Sequence, residues 1–219
     1  MSPAILFDLD GTLVDSAEDI RAALRDAFGA LGLELGDRLG ALVDGSSLES
    51  IFEREVPGGS AADLAQFVAT YRASYARDLT GRTHLFPGVR ELLDRLARDE
   101  PRVPLGVATS KRSDTARAVL DALGIADRFA VVRGTGGTDL PEKPAPDLLL
   151  AVARELGAVA SLSVMVGDTP RDVHAGRRAG MRTVAVTWGM ATRADLVAAD
   201  PHHVIERVED LLGALTAPR

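Results

Sequence analysis

Five short apolar runs recur along the chain: AILFDL at 4–9, VPLGVAT at 103–109, FAVVR at 129–133, LSVMVGD at 162–168 and TVAVTW at 183–188. They are rich in Val, Ile and Leu and lack polar alternation. A strand with one face in water alternates, whereas a strand covered on both faces does not. The runs therefore predict buried parallel strands. Helical spacing fills the intervals. Val89, Leu92, Leu93, Leu96 and Ala97 repeat over 89–98, and Ala116, Val119, Leu120 and Leu123 over 113–124. Ser113 is placed as the N-cap of the latter and Gly124 as its stop. Segments 147–156 and 205–215 read the same way. This alternation predicts an α/β fold built on a doubly wound parallel sheet.

The region 16–82 breaks the alternation, because it holds no strand pattern. Ser16 and Asp19 have capping-box spacing, and Ile20, Ala23, Leu24, Ala27 and Leu31 mark one helix face behind them. Further helical stretches fit 37–55 and 60–79, with PGGS at 57–60 as a break. A segment of this length between the first strand and the rest of a sheet is too long for a loop. It predicts a helical subdomain over 16–82, inserted into a core formed by 1–15 and 83–219. The links would lie near 14–16 and 83–88.

Bulk properties exclude several classes of function. Among 219 residues there is no cysteine, so disulfides, thiolate metal sites and a cysteine nucleophile are absent. The net charge of −7 disfavours an extended nucleic-acid footprint. No window approaches a membrane span and no secretory signal is evident, so a cytoplasmic location is expected, with no membrane partner.

Open α/β sheets bind ligands beyond the carboxyl ends of their strands. The first run ends in Asp8-Leu9-Asp10-Gly11-Thr12, the second in Thr109-Ser110-Lys111 and the fourth in Gly167-Asp168-Thr169, with Asp172 four residues past Asp168. Lys143 lies in PEKPAPD, between the third run and the next helix. Each cluster alone has a structural reading: Asp-x-Asp as a turn, Thr-Ser as an N-cap, and Pro at the first position of a helix. Together, in this order, they converge on one sheet edge.

These residues and their order resemble the haloacid dehalogenase-like hydrolase superfamily, in its phosphatase branch. The four motifs stand here as DLDGT, ATSK, EKPAPD and VGDTPRD, and the likeness covers nearly the whole chain. The insertion after the first motif resembles that superfamily's helical, C1-type cap, and the general likeness is to phosphoglycolate phosphatases and related small-metabolite phosphatases. The resemblance implies a Mg²⁺-dependent phosphatase acting on a small phosphorylated metabolite, as a monomer or homodimer.

A phosphate monoester is anionic and repels a carboxylate nucleophile, so a divalent cation with hard oxygen ligands is needed. Asp8 and Asp168 supply carboxylates, and by resemblance the Asp10 backbone carbonyl supplies a third ligand. Asp8 is then the nucleophile and Asp10 the acid–base. Thr109 and the backbone N–H groups near Leu9, Asp10 and Ser110 would meet the phosphoryl oxygens, and Lys143 would add a point charge. Gly11 permits a turn, Asp172 is assigned to orienting Lys143 or a metal-bound water, and Thr12 and Thr169 are supporting residues. The presence of Asp10 favours an oxygen leaving group, because dehalogenase members lack an acid there. Ser110 departs from the Asn that many relatives carry.

In the insertion, VDGSSLES at 43–50 resembles the cap loop that faces substrate, with Gly45, Ser46 and Ser47 as donors; an inter-helix turn with serine caps is the other reading. Arg54 and Arg72 read as surface residues, with binding of a second anionic group as the alternative. His84 and His174 read as surface residues, and His202-His203 is poor metal geometry. Two rival functions share the motif set: a phosphomutase of the β-phosphoglucomutase type, and a non-catalytic binding relative. A receiver-type signalling module would order its acids differently.

Overall fold

The computed structural model describes residues 2–99, 102–136 and 138–216. In chain order the elements are β1 (Ile5–Phe7), β2 (Val14–Asp15), α1 (Ala17–Gly29), α2 (Leu48–Glu55), α3 (Ala61–Arg77), β3 (His84–Leu85), α4 (Val89–Asp99), β4 (Leu105–Thr109), α5 (Ser113–Ala122), β5 (Val131–Gly134), α6 (Asp147–Glu155), β6 (Val164–Gly167), α7 (Pro170–Arg178), β7 (Arg182–Val186), α8 (Arg193–Ala198), β8 (His203–Ile205) and α9 (Leu211–Thr216).

Six strands pair in the order β5-β4-β1-β6-β7-β8, all parallel. From β1 the chain runs outward through β4 to β5, then returns to β6 on the other side of β1. The winding reverses beside β1, so the crevice beyond its carboxyl end is where a ligand fits. The absence of polar alternation now has its cause. Ile5 and Phe7 point into one layer with α4, α5 and the C-terminal segment, while Leu6 points into the other with α6 and α7. Leu93 and Leu120 on the first face and Leu148 on the second are fully buried, each contributing about 1.5–3 kcal/mol.

The helices α1–α3 form their own apolar cluster around Leu24, Phe28, Ile51, Phe52 and Phe67. The Phe67 ring lies 4.7 Å from that of Phe28 and 5.6 Å from that of Phe52. Two chain crossings join this insertion to the sheet. They pair as an antiparallel ribbon, Val14 with Leu85 and Asp15 with His84, which sequence patterning did not indicate. Among the described residues, no helix is long and apolar enough to cross a membrane.

Several local expectations are corrected. The Ser16–Asp19 capping box does not form. The Ser16 hydroxyl donates instead to Asp10, at 2.5 Å, and Asp19 accepts from the Arg82 N–H and the Thr83 hydroxyl. Segment 37–55 is not one helix but a 3₁₀ stretch over Gly36–Leu42 and then α2, separated by a turn at Gly45 with φ +78°. Ser113 opens α5 rather than capping it, and its hydroxyl accepts from Gly134 N–H. The segment 205–215 begins as strand β8 and becomes helical only after a 3₁₀ turn. All five strands are shorter than their apolar runs. The ladder ends where residues such as Asp8, Ser110 and Asp168 leave the sheet toward the crevice.

Candidate active site

Asp8 directly follows β1, and its N–H donates to Val166 O on β6 at 2.9 Å, which holds it at the sheet edge. The chain then folds tightly: Leu13 and Val14 N–H donate to Leu9 O, and Gly11 N–H donates to Val14 O. Gly11 has φ +83°, and a Cβ there would sit 2.1 Å from Asp168 Oδ2. No other residue fits this crossing without moving the carboxylate. Thr12, next in the turn, donates its hydroxyl to Asp168 Oδ1 at 2.8 Å, and Met190 N–H donates to Oδ2 at 2.8 Å.

Lys143 reaches the same point from the loop before α6. Its Nζ lies 2.6 Å from Asp172 Oδ1, 2.9 Å from Asp8 Oδ1 and 3.2 Å from Ala108 O. The approach to Asp8 is an ion pair by distance, and among the described residues the buried Asp8 Oδ1 accepts no hydrogen bond. Asp172 is held from its other side by Thr169, the N-cap of α7, through N–H and hydroxyl bonds of 3.1 and 2.6 Å. Thr169 and Asp172 form a capping box.

Ligand oxygens of Asp8, Asp168 and Asp172 lie within 4.8 Å of one another. Three buried carboxylates thus face one buried ammonium. Burial pushes the Asp8 carboxyl up to about 7, with Lys143 opposing and Asp172 adding to the rise. Burial also raises Asp168 well above the usual carboxylate range, reinforced by Asp172 and Asp8. For Lys143, burial disfavours the charge, but Asp172 and Asp8 outweigh it and raise its pKa. The orphaned Asp8 oxygen, the surplus of carboxylate and the all-oxygen donor set fit a hard divalent cation. The cluster includes the Asp172 carboxylate, which had been assigned a supporting place, whereas the Asp10 carboxyl lies outside it.

Asp10 is held in the cavity wall. Its Oδ2 pairs with Lys111 Nζ at 3.2 Å and its Oδ1 accepts from Ser16. Lys111 is mostly covered beneath the insertion, with Nζ 4.2 Å from the centroid of the Tyr75 ring. Burial opposes its charge, but Asp10, Tyr75 and Tyr71 raise its pKa. Thr109 is buried at the end of β4, its hydroxyl oxygen accepting from Lys111 N–H at 3.2 Å. Among the described residues, the N–H groups of Leu9, Asp10 and Ser110 find no acceptor, which leaves them for a ligand.

The insertion covers this crevice, leaving a partly open cavity of about 260 Å³. Asp8, Asp10, Thr109, Ser110 and Lys111 line it from the sheet, and Gly45, Ser46, Ser47, Tyr71, Arg72 and Tyr75 from the insertion. Ser110 Oγ donates to Gly45 O at 2.8 Å. Ser47 caps α2 and gives its N–H and hydroxyl to Glu142, which also accepts from Ser50 and Arg171. Gly45 and Ser47 therefore join the insertion to the core, and Ser46 N–H donates to Asp44. Arg54 pairs with Asp44 and Glu55. His84 and His174 are exposed.

Lys111, Ser16, Glu142 and Met190 build the site without having been singled out for it. Lys111 and Glu142 stand inside the ATSK and EKPAPD motifs, so proximity was the available signal. Ser16 was absorbed by its capping-box spacing, and Met190 acts only through its backbone.

A parallel α/β sheet with an acid-rich, lysine-bearing crevice under a helical lid defines a class of hydrolase fold. Comparison with known proteins places the chain more closely: the model of the haloacid dehalogenase-like hydrolases matches residues 5–186, and the chain belongs to that family. It is 35% identical to a Dickeya dadantii protein named "Probable phosphatase IndB", over 99% of this chain and 95% of that one. It is 34% identical to the phosphoglycolate phosphatase of Nitrosococcus oceani, over 97% and 96%. A haloacid dehalogenase-like family hydrolase from Streptococcus pneumoniae superposes with a TM-score of 0.84 at 29% identity, over 98% of this chain and 99% of that one.

Proposed function

We propose that the protein is a Mg²⁺-dependent phosphatase that hydrolyses a phosphate monoester of a small metabolite through an aspartyl-phosphate on Asp8. The observation that carries this reading is the convergence of Asp8, Lys143, Asp168 and Asp172 beside donors with no protein acceptor. Relatives named as phosphatases and phosphoglycolate phosphatases support the reaction class.

Asp8 and Asp168, with the Asp10 carbonyl and Asp172 at the border, would hold the cation. When bound, it supplies positive charge that offsets repulsion between the phosphate and the carboxylates. The Asp8 carboxylate attacks phosphorus as the bond from phosphorus to the leaving oxygen breaks. Asp10 gives that oxygen a proton, then takes one from the water that attacks the aspartyl-phosphate. Lys143, already paired with Asp8, offsets charge at the acyl phosphate. Thr109 and the free N–H groups of Leu9, Asp10 and Ser110 receive the phosphoryl oxygens. The insertion covers the cavity and limits the access of bulk water.

Hydrolysis of a chromogenic aryl phosphate with and without Mg²⁺ tests the reading. Metal-dependent turnover that Asp8→Asn abolishes is expected. Undiminished turnover by Asp8→Asn would remove the nucleophile assignment. Turnover appearing only with a sugar bisphosphate primer would favour a mutase instead.

A further inference from the structure

Among the described residues, the cavity wall contributed by the insertion holds one cation without a partner. Arg72, on α3, lines the cavity, and its Nε is buried with no hydrogen-bond partner. Among the described residues, no carboxylate lies within ion-pair reach of its guanidinium. The other cations around the cavity are engaged: Lys111 with Asp10, Arg112 with Asp114, and nearby Arg54 with Asp44. A buried guanidinium N–H without an acceptor is unfavourable, because a donor removed from water goes unpaired. A ligand anion is the natural acceptor. Asp8 and Asp10 line the same cavity, so Arg72 and the reaction centre face one shared space.

We infer that Arg72 determines specificity by binding a carboxylate on the leaving group of the substrate. This rests on the phosphatase reading above. The charge balance selects the class of anion. One unpaired guanidinium matches a singly charged carboxylate, which it can grip through two parallel N–H···O bonds. A second phosphate would bring up to two charges into a cavity that Asp44 and Glu49 also line. The volume of about 260 Å³ suits a small phosphorylated metabolite. Ile20, Tyr71, Tyr75 and Leu79 also line this cavity, and such walls weaken competition from water.

Three phosphates of matched size test the inference: 2-phosphoglycolate, ethyl phosphate and phosphoethanolamine, with carboxylate, methyl and ammonium termini. The kcat/KM of the wild-type protein with Mg²⁺ should rank the carboxylate first. Arg72→Gln should lower the ratio of 2-phosphoglycolate to ethyl phosphate about 10–100-fold, and Arg72→Lys should restore part of it. Calorimetric titration with 3-phosphonopropionate and propylphosphonate gives a readout without turnover. The carboxylate should bind more tightly to the wild type, and the preference should vanish in Arg72→Gln. A wild-type preference for phosphoethanolamine would assign the pocket to Glu49 and overturn the inference. Equal loss on all substrates in Arg72→Gln would overturn it as well. Absence of turnover on all three substrates would count against the phosphatase reading itself, whereas turnover without discrimination would sink only the role of Arg72.

Discussion

The sheet edge and the helical insertion enclose the same cavity with opposite charge economies. On the sheet side, Asp8, Asp168 and Asp172 crowd around Lys143, leaving negative charge in excess and one carboxylate oxygen without a donor. On the insertion side, Arg72 is a cation in search of an acceptor amid tyrosines and aliphatic side chains. The sheet side is held rigidly by parallel ladders and by the α7 capping box. The insertion rests on its own phenylalanine cluster and reaches the core through a short ribbon, an apolar contact of Ala23 and Tyr75 with Val119, and polar ties at Glu142 and Ser110. The difference teaches a division of labour. A rigid edge can hold like charges together for chemistry that is the same for every phosphate ester. A separately packed lid can vary what it recognises without disturbing that arrangement.

The sharpest way to break this comparison is at Asp8. Asp8→Asn should lower aryl phosphatase activity by about 10⁴-fold or more without lowering the melting temperature, since a buried, protonation-prone carboxyl becomes a neutral amide. Comparable activity would place the chemistry elsewhere. Asp10→Asn should reduce kcat by about 10²–10⁴-fold, with a smaller loss for aryl phosphates, whose leaving groups need less protonation. A uniform loss across leaving groups would count against Asp10 as the acid.

Phe67→Ala addresses the insertion's independence. It should destabilise by about 3–5 kcal/mol, measured by urea titration. A separate early transition would sharpen the picture of two packed units, and a single transition would show them unfolding together.

Metal linkage distinguishes the sheet side by pH. Asp8 titrates near 7 in the metal-free folded protein and near ~3.9 in an unfolded chain. Between these values the folded state holds the extra proton, so its contribution to stability is full below the lower value and declines as pH rises toward 7. Mg²⁺ requires ionised carboxylates. The rise in melting temperature with Mg²⁺ should therefore be small at pH 5 and grow toward pH 7.5; an equal rise at both would contradict the carboxylate cluster as the binding site. The smallest effect is expected at the ties between lid and core. Glu142→Ala removes the acceptor shared by Ser47, Ser50 and Arg171, and KM should rise by about 3–10-fold with a lesser change in kcat.

Much of the fold was legible in the chain because burial on two faces leaves a direct mark. A strand such as Ile5–Phe7, packed on both sides, has no reason to alternate, and helices such as Val89–Asp99 must repeat with the helical period. Gly11 and Thr12 were legible as parts of a turn. Local hydrogen bonding was less so. Ser16 and Asp19 have the spacing of a cap, yet both are drawn to partners elsewhere, Asp10 and the Arg82–Thr83 link. The break between the 3₁₀ stretch and α2 was hidden by apolar residues at helical spacing on both sides of Gly45.

By itself the amino-acid order determined which chemical groups end each strand and that a helical block separates the first from the rest. Those properties follow from short-range sterics and from which side chains avoid water. Only the tertiary structure decided the pairings: Lys111 with Asp10, Lys143 with both Asp8 and Asp172, Glu142 with the α2 cap, and Arg72 with none among the described residues. An ion pair depends on separations of a few ångströms between residues tens of positions apart. Those separations are set by how helices seat on a sheet, which no local pattern encodes.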